Sequence, residues 1–111
     1  MKVSFEEIGC VRASFAAEGS AAGQVCKMAQ SGKVAPCGDG ESFIGVLESV
    51  RKGVGCVLLH GFAELPCTGQ VPGVGYVKLA ANGVGGVKAG SGREYLVVSV
   101  DEAAGKIFVE L

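Results

Sequence analysis

The sequence predicts an all-β fold, a small single-domain β-barrel or β-sandwich made of short hairpins. Glycine accounts for 19 of the 111 residues, more than twice its usual share of about 7%, and the glycines show no Gly-X-Y period. From residue 22 onward, short apolar runs alternate with turn dipeptides, which is typical of strands joined by tight turns. Tryptophan is absent and only seven residues are Phe or Tyr, so we expect a core built mainly from Val, Leu, Ile and Ala.

The length of the chain predicts one domain, since two independently cored domains would not fit into 111 residues. We expect residues 1–20 to form a less regular N-terminal arm or a first strand, and residues 21–111 to form the barrel-like domain. The best helical candidates are residues 4–9 and 13–19, each one or two turns at most.

The strands are predicted from apolar runs that end at turn residues. Asn82-Gly83 is the strongest hairpin signal, and the segment 102–105 is expected to close the last hairpin. The predicted strands are 23–29, 33–37, 42–50, 55–65, 74–81, 93–101 and 106–111.

The longest predicted strand, residues 55–65, is apolar on both faces. Because side chains alternate along a strand, Cys56, Leu58 and His60 share one face, and Val57 and Leu59 share the other. Such a strand is expected to be enclosed in a barrel or packed on a neighbouring subunit. We interpret His60, the one histidine in the sequence, as a structural residue of that packed layer.

A weak internal repeat suggests that the fold is pseudo-duplicated. Residues 26–34 resemble residues 77–85, displaced by 51 positions. After each copy comes a glycine cluster and then a strand led by an aromatic residue, Phe43 or Tyr95. Two such units are expected to close a small barrel, which removes exposed sheet edges.

The glycine-rich stretch SGKVAPCGDGESFIGVL, residues 31–47, completes no phosphate-binding motif. A dinucleotide fingerprint would need glycine where Phe43 stands, and a Walker loop would need Ser or Thr where Val34 follows Gly32-Lys33. Asp39 lies in a Gly-Asp-Gly turn, where aspartate bonds its own backbone. The acid pairs Glu6-Glu7 and Asp101-Glu102 are interpreted as solvated charges.

The cysteines are interpreted as reduced residues that fill strand positions. No CxxC pair occurs, and an odd count argues against a disulfide framework. A metal site or a catalytic pair of His60 with Cys37 or Cys67 is the less favoured alternative. The sequence therefore predicts no enzyme and no catalytic, cofactor-binding or metal-binding residue. The five cysteines are Cys10, Cys26, Cys37, Cys56 and Cys67.

Charge and hydropathy limit the partners. The formal net charge is −1, and Arg51-Lys52 is the closest approach to a basic cluster, so neither nucleic-acid binding nor an anionic membrane surface is expected. The first residues contain no apolar segment typical of a signal peptide, and the longest apolar run is residues 56–59. We expect a soluble protein that stays inside the cell that makes it.

The order of features over residues 20–111 resembles small bacteriophage capsid decoration, or cement, proteins of the prophage type. The resemblance rests on AAGQVCKMAQSGKVAPCGDGESFIGVLESV, followed by GVGCVLLHGFAELPCTGQV, GVGYVKLAANG and a terminal GKIFVEL. It implies an all-β barrel-like module, often a homotrimer, that is made in the bacterial host cytoplasm and binds the major capsid protein on the outer surface of the virion. The cysteines and the first 20 residues depart from the family pattern.

Two other functions compete with a structural virion protein. One is a β-barrel ligand-binding or enzyme-associated module of the antifreeze or sugar-acid dehydratase type, which would need a pocket with convergent polar groups. The sequence offers few polar side chains for such a pocket. The other is a small cytoplasmic binding barrel whose partner the sequence does not identify.

Overall fold

The computed structural model describes residues 10–17 and 19–111, and this part of the chain contains strands and turns but no helix. The strands pair in short hairpins, as their turn residues predict. Their bounds are β1 Val11–Ala16, β2 Val25–Gln30, β3 Lys33–Pro36, β4 Gly45–Arg51, β5 Val54–His60, β6 Phe62–Pro66, β7 Gly75–Ala81, β8 Val87–Ala89, β9 Arg93–Asp101 and β10 Lys106–Glu110.

The strands form two five-stranded units, which confirms the predicted all-β barrel class. The first unit is a closed barrel with strand order β1-β3-β2-β4-β5, and the second is a sheet with order β6-β10-β9-β7-β8. A parallel pair between Ala16 and Lys33 closes the first unit. A single parallel bridge between Cys67 and Val87 joins the two ends of the second sheet at the corresponding place.

The two units are a duplication, as the repeat in the sequence suggests. Arg12 pairs with Leu58 in the first unit, and the positions 51 residues further on, Ala63 and Val109, pair in the second. Likewise, Val46 pairs with Leu58, and Val97 pairs with Val109. Strand order is therefore repeated along almost the whole chain, well beyond the short stretch in which the sequence similarity is visible. The register differs between β7 and β9, where Gly75 and not Tyr76, the counterpart of Val25, pairs with Val97.

Two hydrophobic cores hold the units. The smaller core fills the first barrel and contains Ala17, Cys26, Val34, Leu47 and Val57. The larger core joins the inner face of the second sheet to the outside of the first barrel, so the two units share it. From the first unit it takes Val25, Cys37, Phe43 and Val46, and from the second Leu65, Cys67, Leu79, Ala81, Val87, Tyr95, Val97, Ile107 and Val109.

The duplication preserves strand pairing but changes which side is buried. Val57 is fully buried inside the first barrel, whereas Phe108, its counterpart 51 residues on, is only half-buried. The neighbouring Ile107 is buried in its place. Val97 lies in the shared core, as its counterpart Val46 does. The second sheet therefore keeps that face buried and leaves only partly covered the face that corresponds to the interior of the first barrel.

Strand β5 is buried on both sides, as its apolar pattern predicts. Val57 lies in the core of the first barrel, and Leu58 is also buried although it points to the opposite face. Both sides are covered within this chain, because β4 and β5 lie between the two cores.

Three expectations about individual elements are corrected. The helical candidate 13–19 is wrong, because residues 13–16 belong to β1, where they pair with β5. The predicted strand 55–65 is two strands that meet at Gly61, whose φ of 137° is one that glycine tolerates and other residues rarely adopt. Strand β8 has no counterpart among the predictions. The candidate 4–9 and half of the proposed arm, residues 1–9 and 18, lie outside the described residues.

Candidate interaction surface

The buried cysteines lie where a thiol is held in its neutral form. Burial raises the pKa of Cys26 to about 11, and the nearby Cys37 contributes to the shift. Burial also raises the pKa of Cys37 and that of Cys67. Because the thiolate is the reactive form, these three residues are poor nucleophiles and poor metal ligands at neutral pH. All five cysteines are free.

The other candidates for chemistry are not brought together. Asp39 forms an exposed ion pair with Lys88, its Oδ1 lying 2.8 Å from Nζ. His60 ends β5, where it pairs with Val11. Within residues 10–17 and 19–111, no group of three or more His, Cys, Asp or Glu side chains is arranged to hold a metal ion. Asp101 accepts a hydrogen bond from the Ala104 amide and stabilises the turn that follows β9. Glu6 and Glu7 lie outside the described residues.

The loop between β3 and β4 links the two units. The Glu41 carboxylate accepts a hydrogen bond of 2.6 Å from the Gly38 amide. It also forms an ion pair with Lys27, whose Nζ lies 2.7 Å from Oε2. These contacts, first the bond from Lys27 and then the bond from Gly38, lower the pKa of the Glu41 carboxyl. The loop backbone then bonds the second unit, because the Gly40 amide donates to the Ala81 carbonyl and the Ala81 amide donates to the Glu41 carbonyl.

An aromatic stack completes this link. The rings of Phe43 and Tyr95 are nearly parallel, with centroids 4.9 Å apart, and Arg93 lies over the Tyr95 ring. The Tyr95 hydroxyl donates a hydrogen bond of 3.4 Å to the Phe43 carbonyl, which satisfies its polar end inside the core. Phe43, two residues before β4, and Tyr95, near the start of β9, therefore contact each other across the boundary between the units.

The outer face of the second sheet displays apolar side chains. Tyr76 is 74% exposed and pairs across the sheet with the half-buried Leu96. Val74, just before β7, is 70% exposed. Phe62 and Phe108 stack on the same face with centroids 5.9 Å apart. Exposed apolar groups that occur together on one face are typical of interaction surfaces.

A groove of about 650 Å³ crosses this face at the end of β9. Val74, Val98 and Phe108 line its apolar part. Charged side chains stand at its rim, where the Lys106 Nζ lies 3.6 Å from the Glu64 Oε1. The carboxylates of Asp101 and Glu102 stand at the same rim.

Comparison with known proteins assigns no family to this fold. No family model matches the chain, and no curated protein matches it significantly. In the part of the chain that the structure describes, no helix is long and apolar enough to cross a membrane. The function therefore has to be argued from the residues of the surface.

The sequence reasoning missed this surface because two signals were interpreted separately. The acid pair Asp101-Glu102 was interpreted as solvated charges, and the apolar residues of β9 gave no sign of which side is covered. In the structure Tyr95 and Val97 lie in the shared core, whereas the bulge at Val98 places both Val98 and Ser99 on the groove. The repeat could have indicated this difference, since Phe108 and Val98 occupy the positions of the buried Val57 and Leu47.

Proposed function

We propose that this protein is a non-enzymatic structural virion protein that decorates and stabilises a bacteriophage capsid. Its partner in this proposal is the major capsid protein, and its place is the outer surface of the virion after synthesis in the bacterial host cytoplasm. The resemblance of residues 20–111 to capsid decoration proteins supports the proposal, and the all-β barrel architecture agrees with what that resemblance implies.

The observation that carries the proposal is the apolar outer face of the second sheet on a doubled barrel. A decoration protein needs a compact module and a surface for association, but no substrate pocket. The shared core and the loop 37–43 join the two units into one body, and Tyr76 and Val74 project from it. Weak contacts of this kind, repeated over a capsid lattice, produce high avidity.

The direct test is binding to empty shells assembled from the major capsid protein of the same phage or prophage. We expect the protein to sediment with the shells and to raise the temperature at which they disassemble, because a ligand that binds only the intact state stabilises it. Electron cryo-microscopy of the decorated shells should place the density on the outer surface. Failure of the wild-type protein to bind at micromolar concentration would contradict the proposal.

The proposal includes self-association, with a homotrimer favoured by the resemblance. The exposed Tyr76 is the side chain that such an interface would bury. Sedimentation equilibrium, free and on shells, measures the stoichiometry. Tyr76→Ser should weaken association, whereas Val84→Ser, at an equally exposed loop position, should not. A strict monomer with no affinity for shells would argue against the whole proposal.

The role of the N-terminal arm is tested by deleting residues 2–9 only. A longer deletion would remove β1, which is a strand of the first barrel and would take the fold with it. If the arm contributes to attachment, the shortened protein should keep its thermal stability and lose affinity for shells. Unchanged affinity would exclude the arm from the attachment site.

The alternative, a ligand-binding or enzyme-associated barrel module, predicts convergent polar groups in a pocket. The polar side chains described here instead stand at the rim of an open groove or form exposed ion pairs. A metabolic operon around the gene would favour this alternative, and a neighbouring capsid gene would favour decoration.

A further inference from the structure

Strand β9 extends beyond the strand that pairs with it on one side. Its pairing with β7 covers Arg93 to Val97, where it meets Gly75 at the start of β7. Residues 99–101 pair with β10 on the other side, and Val98 is a bulge that pairs with neither neighbouring strand. The pairing with β7 ends at Gly75 and Val97, and residues 98–101 have no paired residue on that side. Because successive residues alternate, some of their N–H and C=O groups point towards this open edge.

In the first unit, the backbone groups at the corresponding edge are hydrogen-bonded within the chain. Leu47 occupies the position of Val98, 51 residues earlier, and its backbone is bonded on both atoms by the segment that precedes β2. The Gly23 amide donates to the Leu47 carbonyl at 2.6 Å, and the Leu47 amide donates to the Gln24 carbonyl at 2.9 Å. The segment that precedes β7 makes no such bond to Val98 among the described residues. The duplication has kept the strand and left its edge open.

The groove runs beside this edge. Its apolar lining includes Val98 and Val74, the latter 70% exposed. Asp101 and Glu102 stand exposed at the end of the edge, and neither forms an ion pair with another described residue. The rim therefore carries excess negative charge, because Lys106, its one cation, already lies beside Glu64.

We propose that the edge of residues 98–101 takes up an extended segment of the partner protein by strand addition. The segment bonds its backbone to the open edge, places an apolar side chain against Val98 and Val74, and places a Lys or Arg beside Asp101 and Glu102. Main-chain bonds supply affinity in this mode of recognition, and the side chains supply selectivity. That the segment belongs to the major capsid protein rests on the proposed function; the strand addition itself does not.

Two synthetic peptides test the strand addition without a capsid. The probes are acetyl-Lys-Val-Lys-Val-Lys-amide and its counterpart acetyl-Glu-Val-Glu-Val-Glu-amide, each titrated to millimolar concentration into ¹⁵N-labelled protein. The lysine peptide should shift the amide signals of residues 98–101 and slow their hydrogen exchange, and the glutamate peptide should not. No shift with either peptide, or equal shifts with both, would overturn the proposal.

Two charge reversals on the same strand region test the link to the capsid. Glu102→Lys changes the rim of the groove, and Glu94→Lys is the matched control, an exposed glutamate on β9 that lies outside the groove. We expect Glu102→Lys to weaken shell binding by about tenfold or more and Glu94→Lys to change it by less than about twofold. Circular dichroism should confirm that both variants are folded.

The outcomes separate the two proposals. Wild-type binding to shells with equal affinity for Glu102→Lys would overturn the strand addition and leave decoration intact. No binding of the wild-type protein to shells would overturn decoration, and the peptide titration would then decide the strand addition alone.

Discussion

Gly45 is a residue at which the fold leaves no room for a side chain. It begins β4 and pairs with Cys26, and a Cβ at this position would overlap the carbonyl oxygen of Leu58 and touch the Val57 side chain. The obstacle includes backbone of β5, which cannot rotate away as a side chain can. The close approach of β4 and β5 at the barrel wall therefore depends on glycine here.

We expect Gly45→Ala to destabilise the protein by about 1–3 kcal/mol, the usual cost of forcing extra atoms into a packed region. Gly73→Ala is the matched control, because its Cβ would meet nothing within 4 Å and its φ lies outside the left-handed region. That control should be neutral or stabilising by up to about 1 kcal/mol, since alanine restricts the unfolded chain. Urea unfolding measures both changes, and equal stabilities for the two variants would contradict the prediction.

The thiol of Cys26 makes stability depend on alkaline pH. Its pKa is 9.0 in an exposed thiol and about 11 in the folded protein, because burial disfavours the thiolate. Between these values the folded state holds more protons than the unfolded state, so stability falls as the pH rises. We expect the free energy of unfolding to decline from pH 9 to 11, and the decline to be shallower in Cys26→Ala. Chemical denaturation at several pH values measures the slopes, and parallel slopes would refute the assignment.

At the scale of elements, sequence patterns located most strands but not their partners. Strand β9 was predicted with its observed bounds, because the turns at both of its ends are marked by glycine and polar residues. Strand β8 was missed because a three-residue strand between glycine-rich segments has no periodicity to detect. Residues 13–16 suggest a helix through their alanines, but pairing with β5 decides their conformation.

The interaction surface was less predictable than the fold, for a physical reason. A strand with two apolar faces has no pattern that tells which face is covered, and β9 belongs to this class. Only the position of the second sheet on the first barrel buries Val97 and Val109 and turns Val98 and Phe108 outwards. The open edge at 98–101 depends on where β7 begins, which the predicted strand 74–81 placed within one residue.

The loop 37–43 is expected to open under acid. Because contacts with Lys27 and Gly38 lower the pKa of the Glu41 carboxyl, they stabilise the loop above the ordinary carboxyl pKa of 4.5 and are lost as the pH falls through the lowered value. Glu41→Gln removes the charge at every pH. Hydrogen exchange, corrected for its intrinsic rate, should show less protection of the Gly40 and Ala81 amides in this variant.

The matched control for the loop is Glu110→Gln, an exposed glutamate at the end of β10. It should leave the protection of Gly40 and Ala81 unchanged, because it makes no contact with the loop. Equal protection in Glu41→Gln and in the wild-type protein at pH 7 would contradict a role of the Glu41 carboxylate in holding the loop in place.

At the scale of the whole molecule, duplication has produced two units that depend on one another. The second sheet buries its inner face only by packing on the first barrel, since the larger core includes side chains of both units. The first barrel has a core of its own, but the backbone of its loop between β3 and β4 is hydrogen-bonded to Ala81 of the second unit. We therefore expect a single cooperative unfolding transition, in spite of the repeated architecture.

The decisive variant is Val57→Ala, which removes two methyl groups from the interior of the first barrel and touches no side chain of the shared core. It should cost about 2 kcal/mol through lost burial and the cavity left behind. If the units unfold together, the urea midpoint must fall equally for both, measured by hydrogen exchange of β5 amides for the first and β10 amides for the second. Loss of protection in β5 alone would mean that the duplicated units are independent, and the shared core would then contribute packing without cooperativity.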